Sequence, residues 1–152
     1  MRYMGLDIGD ATIGIALSDP MGIIAQGHEN YRRVSVKEDI AHLVAIVIEY
    51  EVGCIVAGLP LNMNGSQGPQ AEKVLLLTKQ LDKKLRFTDK LSTPVPVEMW
   101  DERLSTVQAE RMMIDADLSR ARRKKIIDKV AAIVILQSFL DSKGHTLEGS
   151  ST

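Results

Sequence analysis

Four acidic residues stand where a folded chain has least use for charge. Asp7 interrupts the apolar series Tyr3, Met4, Leu6 and Ile8, Asp101 and Glu102 follow directly on the stretch ending at Trp100, and Asp128 sits within Ile126-Ile127-Asp128-Lys129-Val130-Ala131-Ala132. Burying an ionised carboxylate without a partner is costly, so each position calls for a cation, a strong hydrogen-bond set or a ligand. If the three segments converge, their carboxylates repel unless divalent cations neutralise them, and oxygen-only ligation suits Mg²⁺ or Mn²⁺. Two such ions about 3.5–4 Å apart activate a water and stabilise the leaving oxygen in phosphodiester cleavage. A plainer role is open to two of the four: Asp7 as a cap of its own turn, and Asp128 as a helix-surface partner of Lys124 or Lys129. His28, His42 and His145 are scattered and Cys54 is alone, so nothing points to a zinc cluster or to a Ser/His/Asp set.

The elements that must position these acids can be read from periodicity. Tyr3 to Ile8 and Ile13 to Ser18 read as strands joined by a turn at Gly9 to Thr12. A third extended stretch covers Gly22 to Gln26 and Glu29 to Val34, broken near Gly27-His28. Lys37 to Glu51 places Ile40, Leu43, Val44, Val47 and Ile48 on one helical face, with Ser35 as cap and Gly53 as terminator. Cys54 to Gly58 is a short apolar run suited to a strand buried on both faces, and Leu59 to Ser66 is the loop beyond it. Pro69 to Arg86 is helical, with Pro69 suited to the first turn and Ser66 or Gln67 near the start. Val95 to Trp100 is a strand whose prolines place its beginning outside the ladder. A short helix follows over Thr106 to Asp115, capped by Ser105, then a break at Asp117 to Ser119 and the longest helix, Arg122 to Ser142. Ala131 and Ala132 let that helix approach a sheet closely.

Strand hairpins followed by alternating strand and helix indicate an α/β fold, a mixed sheet with helices on both faces. Ligands in such sheets collect beyond the carboxyl ends of parallel strands, which are here the Leu59 to Ser66 loop and the Asp101-Glu102-Arg103 turn. The 152 residues suit one domain, with residues 143–152 as a disordered tail. With 45% hydrophobic and 26% charged residues the composition is that of a soluble globular protein, and a net charge of −1 argues against a generally basic nucleic-acid coat. Locally, Arg120, Arg122, Arg123, Lys124 and Lys125 form a dense basic cluster, either a solvated helix face or a phosphate guide. No apolar run approaches a bilayer span, and the lone cysteine fits a reducing, cytoplasmic setting with no membrane partner.

These motifs together resemble the bacterial YqgF/RuvX family, RNase H-like proteins described both as Holliday junction resolvases and as nucleases for the 5′ end of pre-16S rRNA. The resemblance runs from Met4 to about Leu140. It is carried by Gly5-Leu6-Asp7-Ile8-Gly9 with Ile13-Gly14-Ile15-Ala16 and Ser18-Asp19, by Val56 to Met63 with Gly65-Ser66, by Asp101 to Thr106, and by Asp128 with Ala131-Ala132 and Leu136-Gln137.

The resemblance implies an RNase H-like mixed five-stranded sheet in strand order 3-2-1-4-5, spanning residues 1–142 as one nuclease domain. It also implies that Asp7, Asp128 and an acid of the Asp101-Glu102 pair are catalytic and bind Mg²⁺ or Mn²⁺. Asn62, Asn64, Gly65 and Ser66 resemble a substrate-side loop, Arg103 either a phosphate contact or a brace, and Arg122, Arg123 and Lys124 a guide for phosphates.

The expected function is cleavage of structured nucleic acid, processing pre-16S rRNA within a ribosomal precursor particle. The alternatives are resolution of branched DNA, for which a homodimer suits symmetric cutting, and a non-catalytic module in ribosome assembly or transcription. One departure from the family pattern stands at Thr12, where the first motif usually carries arginine, so a basic contact beside the acids is missing from that position. Leu6 to Thr12 also resembles the first phosphate loop of actin-like and Hsp70-like ATPases, whose two-domain nucleotide cleft a chain of this length cannot build.

Overall fold

The computed structural model describes residues 1–104 and 130–144. Its strands are β1 (Arg2–Ile8), β2 (Thr12–Ser18), β3 (Ala25–Arg32), β4 (Val52–Leu59) and β5 (Val97–Asp101). Its helices are α1 (Val36–Glu49), α2 (Pro69–Phe87) and α3, described over residues 130–144. The strands form one five-stranded sheet in the order β3-β2-β1-β4-β5, the RNase H-like order that the resemblance implied. β1, β2 and β3 pair antiparallel, whereas β4 runs parallel to β1 and β5 parallel to β4.

Alternation along the strands divides the core into two layers. Met4, Leu6 and Ile8 of β1 and Ile13, Ile15 and Leu17 of β2 face α1 and α2, meeting Leu43, Val47, Val74 and Leu81. The opposite face is built from smaller residues, Ala16 and Val56, against Ala131, Ala132, Ile135, Leu136 and Phe139 of α3. Gly5 lets α3 come close: a Cβ there would stand 2.6 Å from Leu136 Cβ and 3.1 Å from the Ala132 carbonyl oxygen. The close helix-to-sheet approach expected from Ala131 and Ala132 is present, and both are buried.

Several boundaries differ from the periodicity reading, each for a local reason. Gly22 to Ile24 belong to a turn rather than to a strand; Asp19 closes it by accepting from the backbone N–H groups of Met21, Ile23 and Ile24. These bonds, led by those from Ile24 and Ile23, hold the Asp19 carboxyl below its ordinary pKa. The break expected at Gly27-His28 is a β-bulge within a continuous strand: Ile15 pairs with Glu29 and Ala16 with Gly27, leaving His28 as the extra residue. Gly53 does not end α1. Glu51 takes the left-handed conformation at φ 53°, and Gly53 lies inside β4, where a Cβ would collide with the Met1 side chain at 2.5 Å.

Ser35 caps α1 as expected, its hydroxyl accepting from Glu38 N–H. α2 begins at Pro69 with Gly68 as an N-cap that supplies no side-chain bond. β5 starts at Val97, and the Pro96 carbonyl still accepts from Ile55 N–H. α3 continues through residue 144, beyond the end expected at Ser142. The helix expected over Thr106 to Asp115, its Ser105 cap, the Asp117 to Ser119 break and residues 145–152 lie outside the described residues. No described helix is long and apolar enough to cross a membrane.

Candidate functional site

The register of the strands puts Asp7 in the middle of a row that crosses the sheet on the α3 face. Asp7 pairs with Gly14 of β2, which pairs in turn with Asn30 of β3. On the other side, one residue beyond the Leu6 and Ala57 pair, Asp7 comes level with Gly58 of β4, and Gly58 pairs with Trp100 of β5. Glycine therefore flanks Asp7 on both neighbouring strands, and Glu102 uses the room that the bare Gly58 leaves. A Cβ on Gly58 would lie 2.9 Å from Glu102 Oε1 and 3.2 Å from its Cγ, so the Glu102 side chain reaches over β4 toward the strand that carries Asp7.

Asp101 is directed elsewhere. Val97 and Met99 pack on the α1 and α2 side and Trp100 on the α3 side, so alternation separates Asp101 from Glu102. The Asp101 carboxylate accepts from the Arg103 side chain, at 2.7 Å from Nη2 and 3.1 Å from Nε, and from Arg103 N–H at 2.9 Å. The Arg103 bonds hold Asp101 below its ordinary pKa and raise that of Arg103. Glu102 belongs to a single turn of 3₁₀ helix, Glu102–Leu104, which redirects the chain at the end of β5.

Arg103 extends the link to the loop after β4. Its Nη1 donates to the Met63 carbonyl at 3.2 Å, and a Cβ on Gly65, which stands at φ 87°, would lie 3.3–3.7 Å from the guanidinium. The loop is also closed on itself. Asn62 Nδ2 donates to Ser66 Oγ at 2.9 Å, Ser66 Oγ donates to Asn64 Oδ1 at 2.6 Å, and Asn62 N–H donates to the Ser66 carbonyl at 2.9 Å. Asn62, Asn64 and Ser66 thus shape an exposed loop with the side-chain groups expected to face a substrate, and Arg103 braces that loop against β5.

Cations reach the turn after Asp7 from distant parts of the chain. Arg33 Nη1 donates to the Gly9 carbonyl at 2.9 Å, and Lys73 Nζ lies 3.2 Å from Asp10. Arg33 is aimed by Asp39, a buried acid on α1 that holds its Nε at 2.8 Å. Burial acts to raise the Asp39 pKa, but bonds from Val34 N–H, Arg33 and the Tyr31 hydroxyl outweigh it and hold the carboxyl below its ordinary value. The positive charge absent from position 12 is thus supplied beside the same turn by residues 33 and 73. Neither contact could be read from the sequence, because both join residues far apart along the chain.

The donors fit a hard divalent cation. Asp7 and Glu102 offer oxygen alone, and the space over Gly58 is occupied by a carboxylate that a larger residue would displace. The row also carries two buried polar atoms, Asn30 Oδ1 and Trp100 Nε1, without a hydrogen-bond partner among the described residues. No cluster of three or more His, Cys, Asp or Glu able to hold a metal occurs among the described residues. Asp128, Arg122, Arg123 and Lys124 lie outside them.

A family model described as "RuvX: Holliday junction resolvase" matches residues 1–142. A Desulforamulus reducens protein named "Putative pre-16S rRNA nuclease" is 53% identical over 142 residues, covering 93% of this chain and 98% of that protein. A Clostridium novyi protein of the same name is 54% identical over 142 residues, covering 93% and 99%. Among solved structures, T. thermophilus RuvC in complex with Holliday junction substrate superposes with a TM-score of 0.57 at 15% identity, covering 95% of this chain and 96% of that one. At that identity the likeness is one of fold.

Proposed function

The chain belongs to the RuvX family, and from that membership we propose that it is a divalent-metal-dependent nuclease that trims the 5′ end of pre-16S rRNA. The observation that carries this reading is the Glu102 carboxylate over Gly58, beside Asp7, at the carboxyl end of parallel strands. Asp128 is the third acid of the site. The support for it is the course of α3, in which Phe139 packs on Tyr3 and Leu136 and Ala132 on Gly5, so the helix climbs β1 toward Asp7 as its numbering falls.

Asp7, Glu102 and Asp128 would hold an Mg²⁺ or Mn²⁺ ion, which when bound would supply activation of a water and neutralisation of charge on the leaving oxygen. The chain does the rest by position. Asp7 is fixed by a strand paired on both sides, and Glu102 by a short helical turn whose neighbour Arg103 is anchored on Asp101. Arg33 and Lys73 offset negative charge at the Gly9 turn, and the braced Asn62 to Ser66 loop offers backbone and polar groups to a phosphodiester chain. Arg122, Arg123 and Lys124 guide phosphates toward the acids. Residues 1–142 act as one nuclease domain, in the cytoplasm, on a ribosomal precursor particle.

RNA is favoured by the names of the relatives that are just over half identical along nearly the whole chain. The description of the family model favours a second reading, resolution of a four-way DNA junction, for which a two-fold dimer would place two sites symmetrically. One experiment tests both: Mg²⁺- or Mn²⁺-dependent cleavage of a labelled 16S precursor fragment and of a four-way junction, by the wild type and by Asp7→Asn. Cleavage of the precursor that Asp7→Asn loses supports the first reading, and cleavage of the junction alone supports the second. Undiminished cleavage by Asp7→Asn would remove the site, and binding without cleavage would leave a non-catalytic assembly module.

A further inference from the structure

Helices α1 and α2 cover the sheet face opposite Asp7 and Glu102, and they run side by side in the same direction. The seam between them is open to solvent. A groove of about 820 Å³ lies between Val36, Ile40 and Ala41 of α1 and Lys83, Lys84 and Phe87 of α2. Past Phe87 it continues into a hollow of about 550 Å³ reaching Ile48 and Lys90. Phe87 is one of two phenylalanines in the chain, yet it is 80% exposed. An aromatic ring left in water beside exposed Val36 and the partly buried Ile48 marks a surface that lacks a cover.

The rim has a definite sign. Lys37, Lys83, Lys84 and Lys90 line it, with Asp89 as the acid among the lining residues. None of these lysines makes an ion pair among the described residues, whereas Arg86 on the neighbouring surface is held by Asp82. The whole chain has a net charge of −1, so the excess is local. A second copy seated symmetrically on this groove would set lysines against lysines. A segment with carboxylates flanking an apolar stripe would meet both features.

We propose that the groove between α1 and α2 binds an acidic amphipathic helix of a partner protein, its apolar side chains against Ile40 and Phe87 and its carboxylates toward Lys37, Lys83 and Lys84. The stretch from Val36 to Ile48 spans about 18 Å at the helical rise, room for roughly three turns.

Two display libraries of roughly 16-residue amphipathic peptides test this, one with acidic and one with basic polar positions. The acidic library alone should enrich. The selected peptides should bind at least about tenfold more weakly to Phe87→Ala and to the combined Lys37→Glu, Lys83→Glu and Lys84→Glu variant. Because these side chains are exposed, the variants should keep wild-type melting and nuclease behaviour, which separates this surface from the acidic site. Equal enrichment of basic peptides, no enrichment of acidic ones, or affinities unchanged by both variants would overturn the proposal. Phosphatidylserine vesicles and a labelled single-stranded RNA are measured alongside. Binding of either that the variants abolish, without peptide binding, would overturn it in favour of a membrane or nucleic-acid surface.

Discussion

Glu102 places its carboxylate in the volume that a side chain at Gly58 would fill, with 2.9 Å between Oε1 and the position of the missing Cβ. The absence of one methyl group on β4 therefore decides where an acid from β5 can stand. Gly58→Ala should push aside Glu102 and the Ile135 Cδ1 methyl, both ends of flexible side chains, so its stability should change by only about 1 kcal/mol. Metal-dependent cleavage should fall at least about tenfold. Urea unfolding and cleavage of the same preparation check both halves, and full activity in the alanine variant would mean that Glu102 can serve from elsewhere.

Asp101 and Glu102 should separate cleanly on substitution. Glu102→Gln should lose cleavage by about a hundredfold or more and weaken Mn²⁺ binding, because it removes a charged donor from the Asp7 row. Asp101→Asn should leave Mn²⁺ affinity within about twofold and act instead by releasing Arg103 and the loop it braces. Titration calorimetry with Mn²⁺ on the two variants checks the division. The reverse pattern would make Asp101 the metal-binding acid.

Asp39 gives the fold a pH dependence with a definite sign. Its folded pKa lies below the ordinary carboxylate value, so its contribution is fully present above about pH 4, its unfolded pKa, and is lost as pH falls through the lower folded value. Asp39→Asn should cost about 3 kcal/mol at neutral pH, since it leaves Arg33 with no anionic partner there. The gap to wild type should close as pH falls through that lower folded value. Chemical unfolding at a series of pH values measures it, and a gap independent of pH would assign the loss to packing alone.

Cys54 should be silent toward thiol reagents. Burial, with a smaller contribution from Glu98, pushes its thiol up to about 11, and reactivity belongs to the thiolate. At pH 8 the folded protein should react with a disulfide reagent at least about a hundredfold more slowly than the same chain in urea. Comparable rates would mean that β4 opens readily.

Much of this architecture could be read from residue order. The helical period of Ile40, Leu43 and Val47 and the cap at Ser35 located α1, and Ala131 with Ala132 announced a close helix contact that Gly5 completes. What could not be read depended on partners far along the chain. Gly53 looked like a terminator because glycine tolerates the left-handed turn, but Glu51 makes that turn and Gly53 instead clears the Met1 side chain. Which of the Asp101 and Glu102 carboxylates lies over Gly58 depended on the direction of the chain at the end of β5, where strand alternation passes into a 3₁₀ turn. The cationic partner of the Gly9 turn was sought at position 12 and is found on Arg33, where only the packing of β3 and α1 against that turn brings it.

The bulge at His28 bears on how the chain behaves in a crowd. β3 is the end strand of the sheet, and a straight end strand offers its unpaired backbone groups to any passing chain. The extra residue opposite β2 breaks that regular ladder, and its imidazole is turned edge-on against the Tyr50 ring. Deleting His28 to restore a flat ladder would give a sheet better suited to recruiting foreign strands, and aggregation rather than loss of the fold would be the first sign.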